Sequence, residues 1–210
     1  AAAPFRCCGL YNHRITPFIR WLMLLIDILR LVLETVASLL TFSFLLRALM
    51  QWVRIHPNNP LSPFVFAMTD WLVKPLRKGI PGYGGVDWAS VFGAFLISFV
   101  LQIVLVLIQV AMAGGGPSVI NLITFTIPYA IFWLLRNFAY LLMGIVLVQV
   151  VLSWVNPFSP VSAIVGELAR PFLDPLRRVL PMIGNVDLSP LVFFLILQIV
   201  MMVLQSLMMG

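Results

Sequence analysis

The 210 residues are 62% hydrophobic and only 10% charged, with thirteen Lys and Arg against seven Asp and Glu, a net charge of +6. Soluble domains run near 45–50% apolar and about 25% charged, so this composition excludes an ordinary water-covered surface. The cations stand beside apolar spans rather than along a polar helix face, which suits orientation in an anionic membrane and argues against nucleic acid as a partner.

Residues 1–22 carry no clean signal-peptide pattern, because Arg20 and Asp27 bracket the only candidate apolar run. They are expected to form a poorly ordered tail. Cys7 and Cys8 are adjacent and without a third cysteine, so they supply neither a disulfide framework nor a metal site. Four later stretches are long enough to cross a bilayer as helices: Leu31–Val53, Trp88–Ala111, Phe138–Val155 and Leu188–Met209. Phe18–Arg30 and Val119–Arg136 precede the first and third spans, either lying in the interface or lengthening a tilted span; Pro128 permits a kink in the latter.

Two Pro-punctuated loops, one between spans one and two and one between spans three and four, align without a gap at an offset of 100 residues. Pro57, Pro60, Ser62, Pro75, Leu76, Arg77, Pro81, Gly84, Val86 and Asp87 meet Pro157, Pro160, Ser162, Pro175, Leu176, Arg177, Pro181, Gly184, Val186 and Asp187, and Lys78 meets Arg178. Upstream, Trp52 and Trp154 match at 102, with two extra residues in the first copy. The chain is therefore expected to be an all-α integral membrane protein of two tandem repeats, each a membrane helix, an amphipathic basic loop and a second membrane helix. Residues 23–112 form the first repeat, 113–118 a connector and 119–210 the second. An even number of crossings per repeat implies a pseudo-twofold axis along the membrane normal and both loops on one side. The loop cations Arg54, Lys74, Arg77, Lys78, Arg170, Arg177 and Arg178 put that side in the cytoplasm.

Within each loop, Ser62 and Ser162 are expected to cap a short helix, with Phe64, Met68, Trp71 and Leu72 on the apolar face of the first and Ile164, Val165, Leu168 and Phe172 on that of the second. Pro75 and Pro175 are expected to end these helices. Lys74, Arg77, Lys78, Arg170, Arg177 and Arg178 then anchor the loops on anionic phospholipid or bind an acidic partner. Asp87 and Asp187, each just before a span, are expected helix caps, with a proton or cation site as the alternative.

Polar groups inside spans need partners. Glu34 and Arg136 occupy matching places at an offset of 102, which suggests an ion pair across the repeat interface, with separate reach of both side chains to the outer headgroups as the alternative. Arg47 and Gln149 match on the same offset; Arg47 either snorkels or lines a cytoplasm-facing vestibule. Gln102 and Gln109, and likewise Gln198 and Gln205, lie seven apart on one helical face, as interhelical amide bonds or, alternatively, a polar path.

The segment Leu168–Gln198, with Pro171, Asp174-Pro175-Leu176-Arg177-Arg178, Pro181, Gly184 and Val186-Asp187-Leu188-Ser189-Pro190, resembles the repeat of the YggT family of bacterial and plastid membrane proteins. The first copy is similar through Leu45-Leu46-Arg47, Gln51-Trp52, Asn59-Pro60, Thr69-Asp70, Pro75-Leu76-Arg77-Lys78, Pro81 and Asp87, but reads Asp87-Trp88-Ala89-Ser90 where the second has Asp-Leu-Ser-Pro. The resemblance implies a multi-pass protein of the bacterial inner membrane with no assigned catalysis. It links the chain to osmotic and ion homeostasis and, through plastid relatives, to assembly of membrane complexes.

No catalytic constellation accompanies these features. His13 and His56 are the only histidines, and Gly82–Gly85 precedes no Lys-Ser/Thr pair that would make it a phosphate cradle. The expectation is a non-enzymatic protein without cofactor that acts through anionic phospholipid, other membrane subunits or a homo-oligomer. A small channel or transporter and an accessory subunit or assembly factor are the alternatives.

Overall fold

The computed structural model describes residues 17–80, 82, 84–113, 119–180 and 187–209. Among the described residues six helices follow one another: α1 (Pro17–Val53), α2 (Ser62–Arg77), α3 (Trp88–Ala113), α4 (Val119–Val155), α5 (Pro160–Val179) and α6 (Ser189–Met209). The chain divides into two compact units, residues 1–36 and 37–210. In the first, the described residues are helical from Pro17 on, so the expected tail contributes Pro17–Leu22 to a helix; its residues 1–16 lie outside the described residues. Residues 114–118 of the connector also lie outside them.

Among the described residues three helices are long and apolar enough to cross a membrane: Trp88–Met112, Thr126–Val155 and Ser189–Leu207. The third expected span therefore begins a dozen residues earlier than Phe138, taking in Pro128 without a break in the helix. The first expected span, Leu31–Val53, is helical but is not one of the three. Its uncharged run between Glu34 and Arg47 covers only Thr35–Leu46, about 18 Å of helix.

In the larger unit α4 packs on α3, α5 and α6, α2 packs on α3, and α5 packs on α6. Two apolar cores hold these helices. One joins Phe44 and Leu45 of α1 to Val73 of α2 and Ala89 and Ala94 of α3. The other gathers Leu49 and Met50 with Leu142, Val146, Ile164, Leu168, Leu173 and Phe193. Gly93 makes the first core possible, because a Cβ there would stand 2.8 Å from the fully buried Phe44 ring.

The loop helices depart from expectation in three ways. Pro75 lies inside α2, and Pro171 and Pro175 lie inside α5, which runs on to Val179. Each proline deletes one helical hydrogen bond without stopping the chain, because the following residues keep their own donors. The buried face of α2 is Ser62, Val65, Thr69 and Val73 rather than the aromatic stripe, and Phe64 (66%) and Trp71 (58%) face outward. Largely exposed aromatic rings suit a helix lying at a membrane surface, and Trp71 keeps an edge contact with the Phe44 ring at 6.5 Å. The caps also move. The amides of Leu61 and Ser62 donate to Asn59 Oδ1 at 3.0 and 2.8 Å, while Ser62 Oγ is buried without a hydrogen-bond partner among the described residues. In α5 the cap is Ser159, whose hydroxyl accepts from the Ser162 amide at 3.0 Å. Both corrections have one reason: an oxygen two or three residues ahead of the free amides reaches them, whereas Ser62 and Ser162 are already helical.

Helix α1 closes on a common turn that carries an uncommon residue. The Ile55 amide donates to Met50 O (3.0 Å) and the Arg54 amide to Gln51 O (3.1 Å), with Arg54 at a φ of 62°. This closing motif favours glycine at its left-handed position, and here it carries arginine.

Candidate functional site

Arg47 enters the core from an apolar turn of α1 and is only 7% exposed. Its Nη1 donates to Thr69 Oγ1 at 2.6 Å and to Asp70 Oδ1 at 2.7 Å, both on α2. Its Nε lies 3.6 Å from Asp87 Oδ2 at the start of α3, and its guanidinium sits 4.8 Å from the Phe66 ring centroid. Thr69 can accept because its own hydroxyl proton goes to Val65 O at 2.7 Å. The expected snorkelling or vestibule-lining arginine is instead an internal tie between three helices: a buried cation cannot remain unpaired, and two carboxylates reach it.

Both carboxylates hold a second cation. Lys74 Nζ lies 2.8 Å from Asp70 Oδ2, one turn along α2. Arg77 Nη2 donates to Asp87 Oδ2 at 2.6 Å and to Gln51 Oε1 at 3.1 Å. Ser90 Oγ adds a bond of 2.8 Å to Asp87 Oδ2, leaving Asp87 1% exposed. Asp87 is thus the shared acceptor of the network as well as the residue that opens α3. Burial pushes its pKa up, but the bonds from Arg77 and Ser90 and the charges of Arg77 and Arg47 outweigh burial and hold it below the usual value of 3.8. Asp70 is held below that value chiefly by its bond from Lys74, then by that from Arg47.

The second copy repeats one part of this arrangement. Arg177 Nε donates to Asp187 Oδ2 at 2.8 Å, again ten residues apart, and Asp187 Oδ1 accepts from the Ser189 amide at 2.9 Å, a true cap on α6. Burial raises the Asp187 pKa, and the Ser189 and Arg177 bonds more than offset it, for a net lowering from 3.8. The inner cation is missing: Gln149 stands where Arg47 would be, its Oε1 buried without a hydrogen-bond partner among the described residues and its amide near Gly166, the position matching Phe66.

Of the six loop cations singled out from the sequence, Lys74, Arg77 and Arg177 are therefore committed to aspartates, which a search for free basic patches overlooks. Lys78, Arg170 and Arg178 are exposed and form no ion pair among the described residues. Glu34 takes Arg30, one turn earlier in its own helix, as its partner at 2.8 Å, in place of the expected Arg136. Arg136 Nε is buried with no hydrogen-bond partner among the described residues. Gln109, Gln198 and Gln205 are exposed and Gln102 half-buried, and α3 and α6 do not pack on one another among the described residues, so the expected amide stripes do not join within the chain. Asp70, Thr69, Gln51, Ser90, Asn59 and Ser159 were missed; only the Asp70–Lys74 spacing of four announced a pairing.

Three apolar helices, with leucine, valine and phenylalanine turned outward, define the class: a multi-pass α-helical membrane protein. The CCB3/YggT family pattern matches twice, over residues 26–108 and 128–208, and the chain belongs to that family. It is 35% identical over 175 residues to the uncharacterized protein YggT of Escherichia coli (strain K12), covering 83% of this chain and 87% of that one. An uncharacterized protein of Pseudomonas aeruginosa is 37% identical over 179 residues, covering 84% and 88%. A third relative, from Vibrio alginolyticus, is 32% identical over 171 residues, covering 80% and 88%. No solved structure matches the chain. Among the described residues no group of three or more His, Cys, Asp or Glu is placed to hold a metal ion.

Proposed function

We propose that this protein is a non-enzymatic element of the bacterial inner membrane that serves membrane and osmotic homeostasis by presenting a fixed contact surface to lipid or to partner proteins. One observation carries the reading. Each loop helix is pinned by an Arg–Asp pair at a spacing of ten, Arg77–Asp87 and Arg177–Asp187, to the start of the membrane helix that follows. Pinning leaves Lys78, Arg170 and Arg178 outward at defined places, as a headgroup or acidic-protein contact surface requires. In this reading the Leu31–Val53 part of α1 makes a fourth crossing, with Glu34 and Arg47 each paired along the way, the two repeats are related by a twofold axis along the membrane normal, and both loops face the cytoplasm.

The channel reading draws less support within a single chain. Arg47 is neutralised by two carboxylates, and the glutamines, exposed at Gln109, Gln198 and Gln205, stand on helices that do not pack on one another among the described residues. The test uses photo-crosslinkers at Lys78 and Arg178, with membrane-impermeant labelling at the same positions and growth of cells lacking the protein after an osmotic upshift. Labelling from the cytoplasm alone, crosslinks at both positions and slowed recovery are expected. Opposite-side labelling, or normal recovery without crosslinks, would overturn the proposal.

A further inference from the structure

A cleft of about 470 Å³ lies between the end of α1 and α5, walled by Trp52, Arg54, Glu167, Arg170, Pro171 and Asp174. A second, apolar cavity of about 270 Å³ is lined by Leu45, Ala48, Leu49, Phe138 and Phe172 and shares the Trp52 wall. The Trp52 and Phe172 rings pack on each other at 6.0 Å, so one aromatic pair separates a charged compartment from an apolar one. The charged compartment holds two arginines and two carboxylates. Among the described residues neither Arg54 nor Arg170 has an acidic group within 4.0 Å, and Glu167 has no basic one; Asp174 reaches only Arg177, at 3.7 Å.

Arg54 is there at a cost. Its φ of 62° belongs to the left-handed region, where glycine would close α1 without strain. The two extra residues that distinguish the first copy fall in the same short stretch, between Trp52 and Pro57. Strain held at a non-glycine residue is accounted for when its side chain has work to do, and this side chain walls the cleft.

We infer that the paired cavities seat one phospholipid whose headgroup carries both a phosphodiester and a primary ammonium. The phosphate meets Arg54 and Arg170, the ammonium meets Glu167 and Asp174, and an acyl chain enters the Leu45–Phe138–Phe172 slot past Trp52. The balance of two positive and two negative groups selects a zwitterion over an anionic lipid. The carboxylates favour a primary ammonium, which donates hydrogen bonds, over a quaternary one, which does not. The inference deepens the lipid-contact side of the proposed function by naming the lipid and its seat.

Native mass spectrometry of the purified full-length protein, titrated with dioleoyl phosphatidylethanolamine, -choline and -glycerol and with free phosphoethanolamine, tests it. Phosphatidylethanolamine should bind about fivefold more tightly than either other lipid, and phosphoethanolamine far more weakly because it lacks the chain. Glu167→Gln, an exposed change, should erase the preference over phosphatidylcholine. Arg54→Gly should lower phosphatidylethanolamine binding about fivefold while leaving the lipid-free melting temperature unchanged or raised, an outcome a purely structural Arg54 would not give. Equal binding of the three lipids, phosphoethanolamine binding as tightly as the lipid, or full binding by both variants would overturn the inference. These readouts come from the isolated protein, so their failure is distinct from a failure of the osmotic or crosslinking tests.

Discussion

Replacing Arg47 by Gln gives the first copy the residue that the second carries at Gln149. The change removes a buried guanidinium bonded to Thr69 and Asp70 at 2.6 and 2.7 Å, with Asp87 3.6 Å from its Nε. At that separation and an effective dielectric of about 20, the Arg47–Asp87 attraction alone is about 4–5 kcal/mol. Desolvation of the guanidinium cancels much of it. In addition, each carboxylate keeps a second cation after the change, Lys74 on Asp70 and Arg77 on Asp87. The net loss should therefore fall short of the ~3–5 kcal/mol of a fully broken buried pair, at about 2 kcal/mol. Equilibrium unfolding of the purified protein in mixed micelles, on Arg47→Gln, Asp87→Asn and the double variant, measures this directly. A coupling energy of about 1–2 kcal/mol is expected. Effects additive within about 0.5 kcal/mol would show that the two groups do not sense each other and would refute the network.

The three aspartates predict a definite acid response. Asp70, Asp87 and Asp187 all sit below 3.8 in the folded chain, so the unfolded chain binds more protons near and below that pH. Their stabilisation should be complete above about pH 5 and decline as pH falls through the lowered values, and Asp87→Asn should flatten that decline in unfolding curves recorded from neutral pH into acid. At the start of α5, Ser159→Ala should cost about 1 kcal/mol by thermal melting, because Ser159 caps Ser162. Ser162→Ala should stay within about 0.5 kcal/mol. Gln149→Arg should destabilise the second copy by about 3 kcal/mol or more, since Ala169 and Arg170 stand where the first copy has Thr69 and Asp70. Adding Arg170→Asp should restore at least about 1 kcal/mol, and no recovery would count against equivalent packing in the two copies.

Helices α3, α4 and α6 were legible because lipid leaves an apolar run of that length one backbone solution. The duplicated loop was legible from residue identities alone, and its ten-residue Arg–Asp spacing stood in the alignment as Arg77/Arg177 and Asp87/Asp187. What that spacing did was not legible. Pairing depends on α2 folding back against the start of α3, which the glycines Gly84 and Gly85, at φ of 67° and 81°, allow. The buried face of α2 escaped for a similar reason. Hydrophobicity favoured Phe64 and Trp71, yet the inward face had to satisfy Arg47, so Thr69 turned inward while the rings stayed outside. The fate of Arg47 likewise rests on groups 22 and 23 residues away, beyond any local pattern.

Asp70 and Lys74 of α2 are replaced in α5 by Arg170 and Asp174, an exchange of sign at each of two matched positions. In α2 the aspartate turns toward the core because Arg47 is there to receive it. In α5 the matching core residue is the neutral Gln149, which offers neither copy of that pair a reason to turn inward, and Arg170 and Asp174 line the cleft beside Trp52 instead. One difference in the core, Arg47 against Gln149, thus leaves Asp70 and Lys74 tied into the fold while Arg170 and Asp174 at the matching positions line the cleft, even though both loop helices keep their own Arg–Asp pin, Arg77–Asp87 and Arg177–Asp187.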